Sequence, residues 1–168
     1  MLFVLLIASG NLVSAKRPPA VATCQIRCKV ANVVEWQESS FPDIELSQIC
    51  RTNQWVQGSS SLVLYTNADV KITADNSDAA LLSTQSDSLI TEYKLDCDSA
   101  ANITTWSDHK NFIEKGMVVK YIKPEKITNN YANGAATVTL SVRACTNKIP
   151  QKPGIYTATQ TITAYWTS

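Results

Sequence analysis

The chain has 168 residues, a formal net charge of +1 and 17% charged residues. This length suffices for one domain with a sizeable hydrophobic core. The near-neutral charge excludes the strongly basic surface with which proteins bind nucleic acid or acidic membranes, so we expect no nucleic-acid partner. Glycine is scarce while Thr, Ser, Asn, Val and Ile are plentiful, a composition typical of β-rich proteins.

The first predicted element is a leader. Residues 1–15, MLFVLLIASGNLVSA, contain a short apolar core followed by small residues at the usual cleavage spacing, which predicts a secretory signal peptide. The apolar run is shorter than the ~20 residues that span a bilayer. The alternative interpretation is a buried N-terminal strand.

The next element is the segment CQIRCKVANVVEW, residues 24–36, which alternates apolar and polar residues. This period of two predicts a strand with one buried face. Asn32 interrupts the apolar face, so a junction of two strands at this position is one interpretation.

The rest of the chain continues the strand pattern. Turn signals dominate residues 37–60, no helical period is sustained for ten residues, and strand signals recur every ~8–15 residues. This spacing predicts an all-β fold, an Ig-like antiparallel β-sandwich. Strands are predicted at 61–66, 69–74, 89–97, 116–122, 136–145 and 155–166, with Leu81–Leu82 as a further short strand.

Five cysteines, in an exported chain, predict one or two disulfides and at least one odd thiol. On one strand, Cys24 and Cys28 would lie about 13 Å apart, too far for a disulfide. Cys97 and Cys145 each end a strand pattern and are our first choice for a structural bond, with Cys50 an equally possible partner for either. Zinc is not expected, because no second pair and no histidine accompany Cys24 and Cys28 at ligand spacing.

Catalytic chemistry has little support in the sequence. His109 is the sole histidine, and neither a nucleophile motif nor a Gly-rich phosphate loop is present. We therefore expect no enzyme, no cofactor and no metal. Of the four tryptophans, Trp55 and Trp106 lie outside the clearest strand patterns. They are the better candidates for an exposed sugar-stacking face, although packing is the more ordinary role of such rings.

The two ends of the chain carry a family resemblance. Pro153-Gly154-Ile155-Tyr156 is followed by the Thr-rich strand TATQTITAYWTS. With the leader and the alternating N-terminal segment, this resembles subunits of chaperone–usher fimbriae. It is nearest to colonization-factor and common-pilus type pilins, and more loosely similar to spore-coat-U-like secreted domains.

The resemblance implies an Ig-like sandwich that lacks its last strand and is completed by donor-strand exchange. Residues 16–32 would be an N-terminal extension and 33–168 the Ig-like pilin domain, with a groove between the final strand and an early strand near 33–36. The inserted face of the donor strand would be Ala22, Cys24, Ile26, Cys28 and Val30. The groove strand would present Tyr156, Ala158, Ile162, Ala164 and Trp166.

The resemblance also implies partners and a location. The partners would be neighbouring pilin subunits, a periplasmic chaperone, an outer-membrane usher and, for adhesion, a host receptor. The chain would pass through the periplasm and end in a fimbrium at the cell surface. A bond from Cys24 or Cys28 to a cysteine of the same chain would tether the extension. The alternative function is a self-complete secreted β-sandwich that binds a ligand, like a lectin or adhesin.

Overall fold

The computed structural model describes residues 21–98, 104–113, 116–119, 134–146 and 152–167. The chain divides into two compact units, residues 1–30 and 31–168. In the first unit, the described residues are all exposed and form no strand, so the predicted strand at 24–36 is wrong over most of its length. Its last three residues do form a strand, in the second unit.

The described part of the second unit is all-β and antiparallel, as predicted, with one 3-10 helix at Asp78–Ala80 and no α-helix. None of the described residues forms a helix long and apolar enough to cross a membrane. The strands are β1 Val34–Trp36, β2 Val56–Thr66, β3 Val70–Ala74, β4 Ile90–Cys97, β5 Ser107–Asp108, β6 Met117–Val119, β7 Gly134–Cys145 and β8 Ile162–Trp166.

These strands form two sheets. The larger has the order β1-β2-β7-β4-β5 and the smaller β6-β3-β8. The central pair, β2 and β7, runs in register from Val56 opposite Ala144 to Thr66 opposite Gly134. Because successive residues of a strand face opposite sides, one face of each long strand is buried and the other is not.

The core lies between the two sheets. Leu95 and Val138 of the larger sheet and Val70 and Ile72 of the smaller one are fully buried in one cluster. Phe112, also fully buried, packs on Tyr93 with ring centroids 5.4 Å apart. This two-layer packing makes the chain a β-sandwich.

The register corrects the predicted disulfide. Cys97 lies opposite Val138 in the β4–β7 ladder, whereas Cys145 lies opposite Ile90. The two cysteines end adjacent antiparallel strands, and such strands end at opposite edges. Seven residues of β7 therefore separate them, about 24 Å, far beyond disulfide range. No disulfide joins Cys97 to Cys145.

Candidate functional site: an open cleft beside the final strand

The final strand borders an open side of the smaller sheet. Among the described strands, β8 pairs only with β3. The ladder continues beyond β8, because the Asp75 N–H donates to the Thr161 carbonyl at 2.8 Å and the Thr159 N–H donates to the Ala79 carbonyl at 2.7 Å. Alternate residues of a paired strand point their N–H and C=O groups in opposite directions. The even-numbered positions from 158 to 166 therefore direct these groups to the open side.

A second wall faces this edge. β1 pairs only with β2 among the described strands and lies beside β8. After β1 the chain runs past Gly58 of β2 without forming a strand. Residues 37–50 are called the crossing segment below. Phe41, Ile44 and Leu46 anchor this crossing segment by packing against the core. It passes so close to Gly58 that a Cβ there would lie 2.6 Å from Ile44 Cγ2.

Between the two walls lies a cleft of about 420 Å³. One wall is the crossing segment, lined over residues 39–44 and at Leu46, and the other is residues 158–162. The inner face of the larger sheet is the floor, and the floor is apolar except for one phenol. Its residues are Leu62, Tyr93, Leu140 and Val142.

The core-facing side chains of the final strand are incompletely covered. Ile162 and Ala164 pack against the core but are only half-buried, and Trp166 is 50% exposed. Ala158 lines the cleft, whereas Tyr156 lies beyond it against a small cluster around Leu89. Of the five predicted groove residues, Ile162, Ala164 and Trp166 lie in β8, whereas Tyr156 and Ala158 precede it. All except Trp166 are half-buried.

Tyr93 ties the floor to the wall. Its hydroxyl donates to the Ala80 carbonyl at 2.7 Å, and the neighbouring Ala79 carbonyl accepts from Thr159 in the wall. Burial raises the pKa of Tyr93 to about 12. The 3-10 turn therefore holds one floor residue and one wall residue in fixed positions.

The predicted inserted face lies in the first unit. Ile26 is 91% exposed and Val30 79% exposed, and Ala22, Cys24 and Cys28 are exposed as well. Residues 21–30 make local hydrogen bonds, such as that from Arg27 Nη2 to Gln25 Oε1 at 3.0 Å. The segment thus presents alternating apolar side chains, and it pairs with none of the strands that the structure describes.

Trp55 and Trp106, the candidates for an exposed stacking face, both contact Arg143 on the outer face of the larger sheet. The guanidinium carbon of Arg143 lies 4.5 Å from the ring centroid of Trp55 and 4.7 Å from that of Trp106. Arg143 Nε also donates to Glu92 Oε2 at 2.6 Å. Sequence reasoning missed Arg143, although its outward position in β7 follows from the alternation of that strand.

The one histidine of the chain lies beside a carboxylate. His109 is 8% exposed, and its Nε2 lies 3.7 Å from Asp78 Oδ1. In the part of the chain that the structure describes, no three His, Cys, Asp or Glu side chains are placed to hold a metal ion. The cleft offers backbone edges, an apolar floor and walls that carry polar side chains, such as Ser39, Asp43 and Gln160.

Comparison with known proteins adds no relative: no family model and no curated protein matches the chain. The class of protein is therefore defined by its fold and site alone. It is an antiparallel β-sandwich with an open, edge-lined cleft.

Proposed function

We propose that this chain is the structural subunit of a surface fibre, a fimbrium assembled by donor-strand complementation through a chaperone–usher pathway. The observation that carries the proposal is the cleft between the crossing segment and the edge of β8. An exposed edge with an apolar face beside it is a template for another strand, and β-strand addition is a common mode of protein association.

The dimensions of the cleft suit an extended segment. The wall from 158 to 162 spans about 13 Å, so an inserted strand would bring about five residues into the cleft. Every second side chain would point to the apolar floor, and the main chain would pair with the even-numbered groups of the wall. Insertion would thereby cover the half-buried face of Ile162 and Ala164.

The occupant that fits is the N-terminal segment of a neighbouring copy. Residues 22–30 carry apolar side chains at every second position, and Ile26 is almost fully exposed. A periplasmic chaperone would cover the cleft until the usher brings two subunits together. Adhesion to a host receptor would be a property of the assembled fibre.

The test compares two substitutions on opposite faces of the segment in the full chain. Ile26→Asp puts a charge on the inserted face, and Gln25→Asp puts the same charge on the other. Both positions are exposed, so neither change should affect the fold of the domain. Burying an unpaired carboxylate is costly, so Ile26→Asp should abolish assembly measured by sedimentation velocity. Equal assembly of both variants would refute the proposal.

The alternative function, a self-complete ligand-binding sandwich, has one observation in its favour. Trp55 is 43% exposed beside Arg143 and Trp106 on a sheet face remote from the core. In that case the unmodified chain would stay monomeric in the same assay. Added saccharides would then change the tryptophan fluorescence of the unmodified protein but not that of a Trp55→Ala variant.

A further inference from the structure

The cysteines of the chain differ in exposure. Cys97 and Cys145 are buried in the sandwich, whereas Cys24, Cys28 and Cys50 are exposed. Two of the exposed thiols lie on the proposed donor segment. The third lies at the end of the segment that forms one wall of the cleft. The exposed thiols thus belong to the two surfaces that strand insertion would bring together.

Cys50 lies past the residues that line the cleft, on the side where Tyr156 lies. Ile49 packs in the small cluster that also holds Leu46 and Tyr156, so Cys50 follows the wall where it meets the beginning of the final strand. The Cys50 N–H donates to Gln54 Oε1 at 2.9 Å, which fixes its backbone. Its thiol remains exposed.

The direction of insertion decides which thiol reaches Cys50. The smaller sheet is antiparallel throughout, and a strand that continues this pattern would run antiparallel to β8. The C-terminal part of the donor segment would then lie at the Tyr156 end. Cys24 and Cys28 are separated by about 13 Å on a strand, so only one of them can lie near that end.

The chain's own segment would enter in the opposite direction. It joins the second unit at Ala31, whose carbonyl accepts a hydrogen bond from Asn67, near the start of β1. From that anchor, residues 22–30 could fill their own cleft only parallel to β8. Cys24 rather than Cys28 would then approach Cys50. The identity of the bonded cysteine therefore reports whether insertion occurs within a chain or between chains.

We propose that Cys28 of one copy forms a disulfide with Cys50 of the next and locks the inserted strand in place. This inference rests on the proposed function. The two thiols lose two protons and two electrons as the sulfur–sulfur bond forms. A disulfide oxidant, such as glutathione disulfide or a disulfide-carrying oxidoreductase, accepts them and becomes two thiols. Exported proteins meet such oxidants.

The experiment uses the full chain in a glutathione redox buffer, followed by non-reducing electrophoresis in detergent and mass-spectrometric mapping. The unmodified chain should give covalent oligomers with a Cys28–Cys50 peptide. Cys28→Ser and Cys50→Ser should lose the oligomers, and Cys24→Ser, the matched control, should keep them. All three positions are exposed, so we expect the variants to fold, which circular dichroism checks.

Other outcomes separate the two proposals. A Cys24–Cys50 or Cys50–Cys145 bond within a monomer would overturn the inference. So would assemblies that sediment as oligomers but contain no Cys28–Cys50 bond, although donor-strand exchange would survive that result. Absence of assembly in both reducing and oxidising buffer would overturn the disulfide and the proposed function together.

Discussion

Replacing Tyr93 by Phe removes one hydroxyl from the floor of the cleft and should change the pH dependence of stability. The hydroxyl donates a 2.7 Å hydrogen bond to the Ala80 carbonyl, and the side chain is 3% exposed. Phe keeps the ring that packs on Phe112 but leaves the carbonyl without this donor. At pH 7 we expect the free energy of unfolding to fall by about 1–2 kcal/mol.

The sign of the effect reverses in alkali. Burial raises the pKa of Tyr93 to about 12 from 10.0, so the folded protein holds the phenolic proton over a range in which the unfolded chain loses it. The stability that Tyr93 contributes is complete below pH 10 and is lost as the pH rises towards 12. The loss is about 1 kcal/mol at pH 11 and about 2 kcal/mol at pH 12.

The variant cannot lose this contribution, since Phe does not titrate. The two proteins should therefore be about equally stable near pH 11, and the variant should be the more stable one at pH 12. Urea unfolding followed by far-UV circular dichroism, with a reductant present, measures both curves. The difference between them cancels the groups common to both proteins. A difference that stays constant from pH 7 to pH 12 would show that the Tyr93 phenol is not buried as described.

Two further predictions concern the wall and the outer face. Gly58→Ala should destabilise the protein by about 1–3 kcal/mol, because the new Cβ would lie 2.6 Å from Ile44 Cγ2. An added Ile44→Ala substitution removes Cγ2, so the double variant should lose less stability in chemical denaturation than the sum of the two single variants, and a purely additive result would contradict the close approach. Arg143→Lys should cost about 1–2 kcal/mol, since an ammonium cannot stack between Trp55 and Trp106 as the planar guanidinium does. Thermal unfolding of this variant beside Lys94→Arg, on the same sheet face, checks the effect, and equal shifts would refute it.

Strand type was predictable where one face is buried, and strand length was not. The alternation of β4 and β7 reflects inward residues in the core, and both predicted strands lie within one or two residues of the observed bounds. β2 begins at Val56 rather than at the predicted Ser61. Its first turn-like residues, QGSSS, extend the ladder because β7 supplies their backbone partners, which is a tertiary effect that local pattern does not contain.

One wall of the cleft was also predictable, because burial of one strand face leaves an alternating pattern in the sequence. The final strand shows its half-buried face in the alternation of Ile162 and Ala164. The crossing segment has no strand period, and its role depends on packing over Gly58, which only the fold reveals. Trp55 and Trp106 are far apart in sequence, and the stacking on Arg143 follows from strand order rather than from any motif.

The edges of the two sheets differ in a way that bears on the proposed assembly. Proteins protect exposed edges by keeping them short or by placing charges and proline on them. β5, at one such edge, has two residues and contains Asp108. By contrast, the extended stretch from 155 to 167, which includes β8, has no charged residue and no proline, and its ladder towards residues 69–83 reaches well beyond the five residues of β8. An unprotected edge of this length, beside a cleft with an apolar floor, would promote aggregation if it stayed open. The same composition is what a strand needs if another strand is to pair with it.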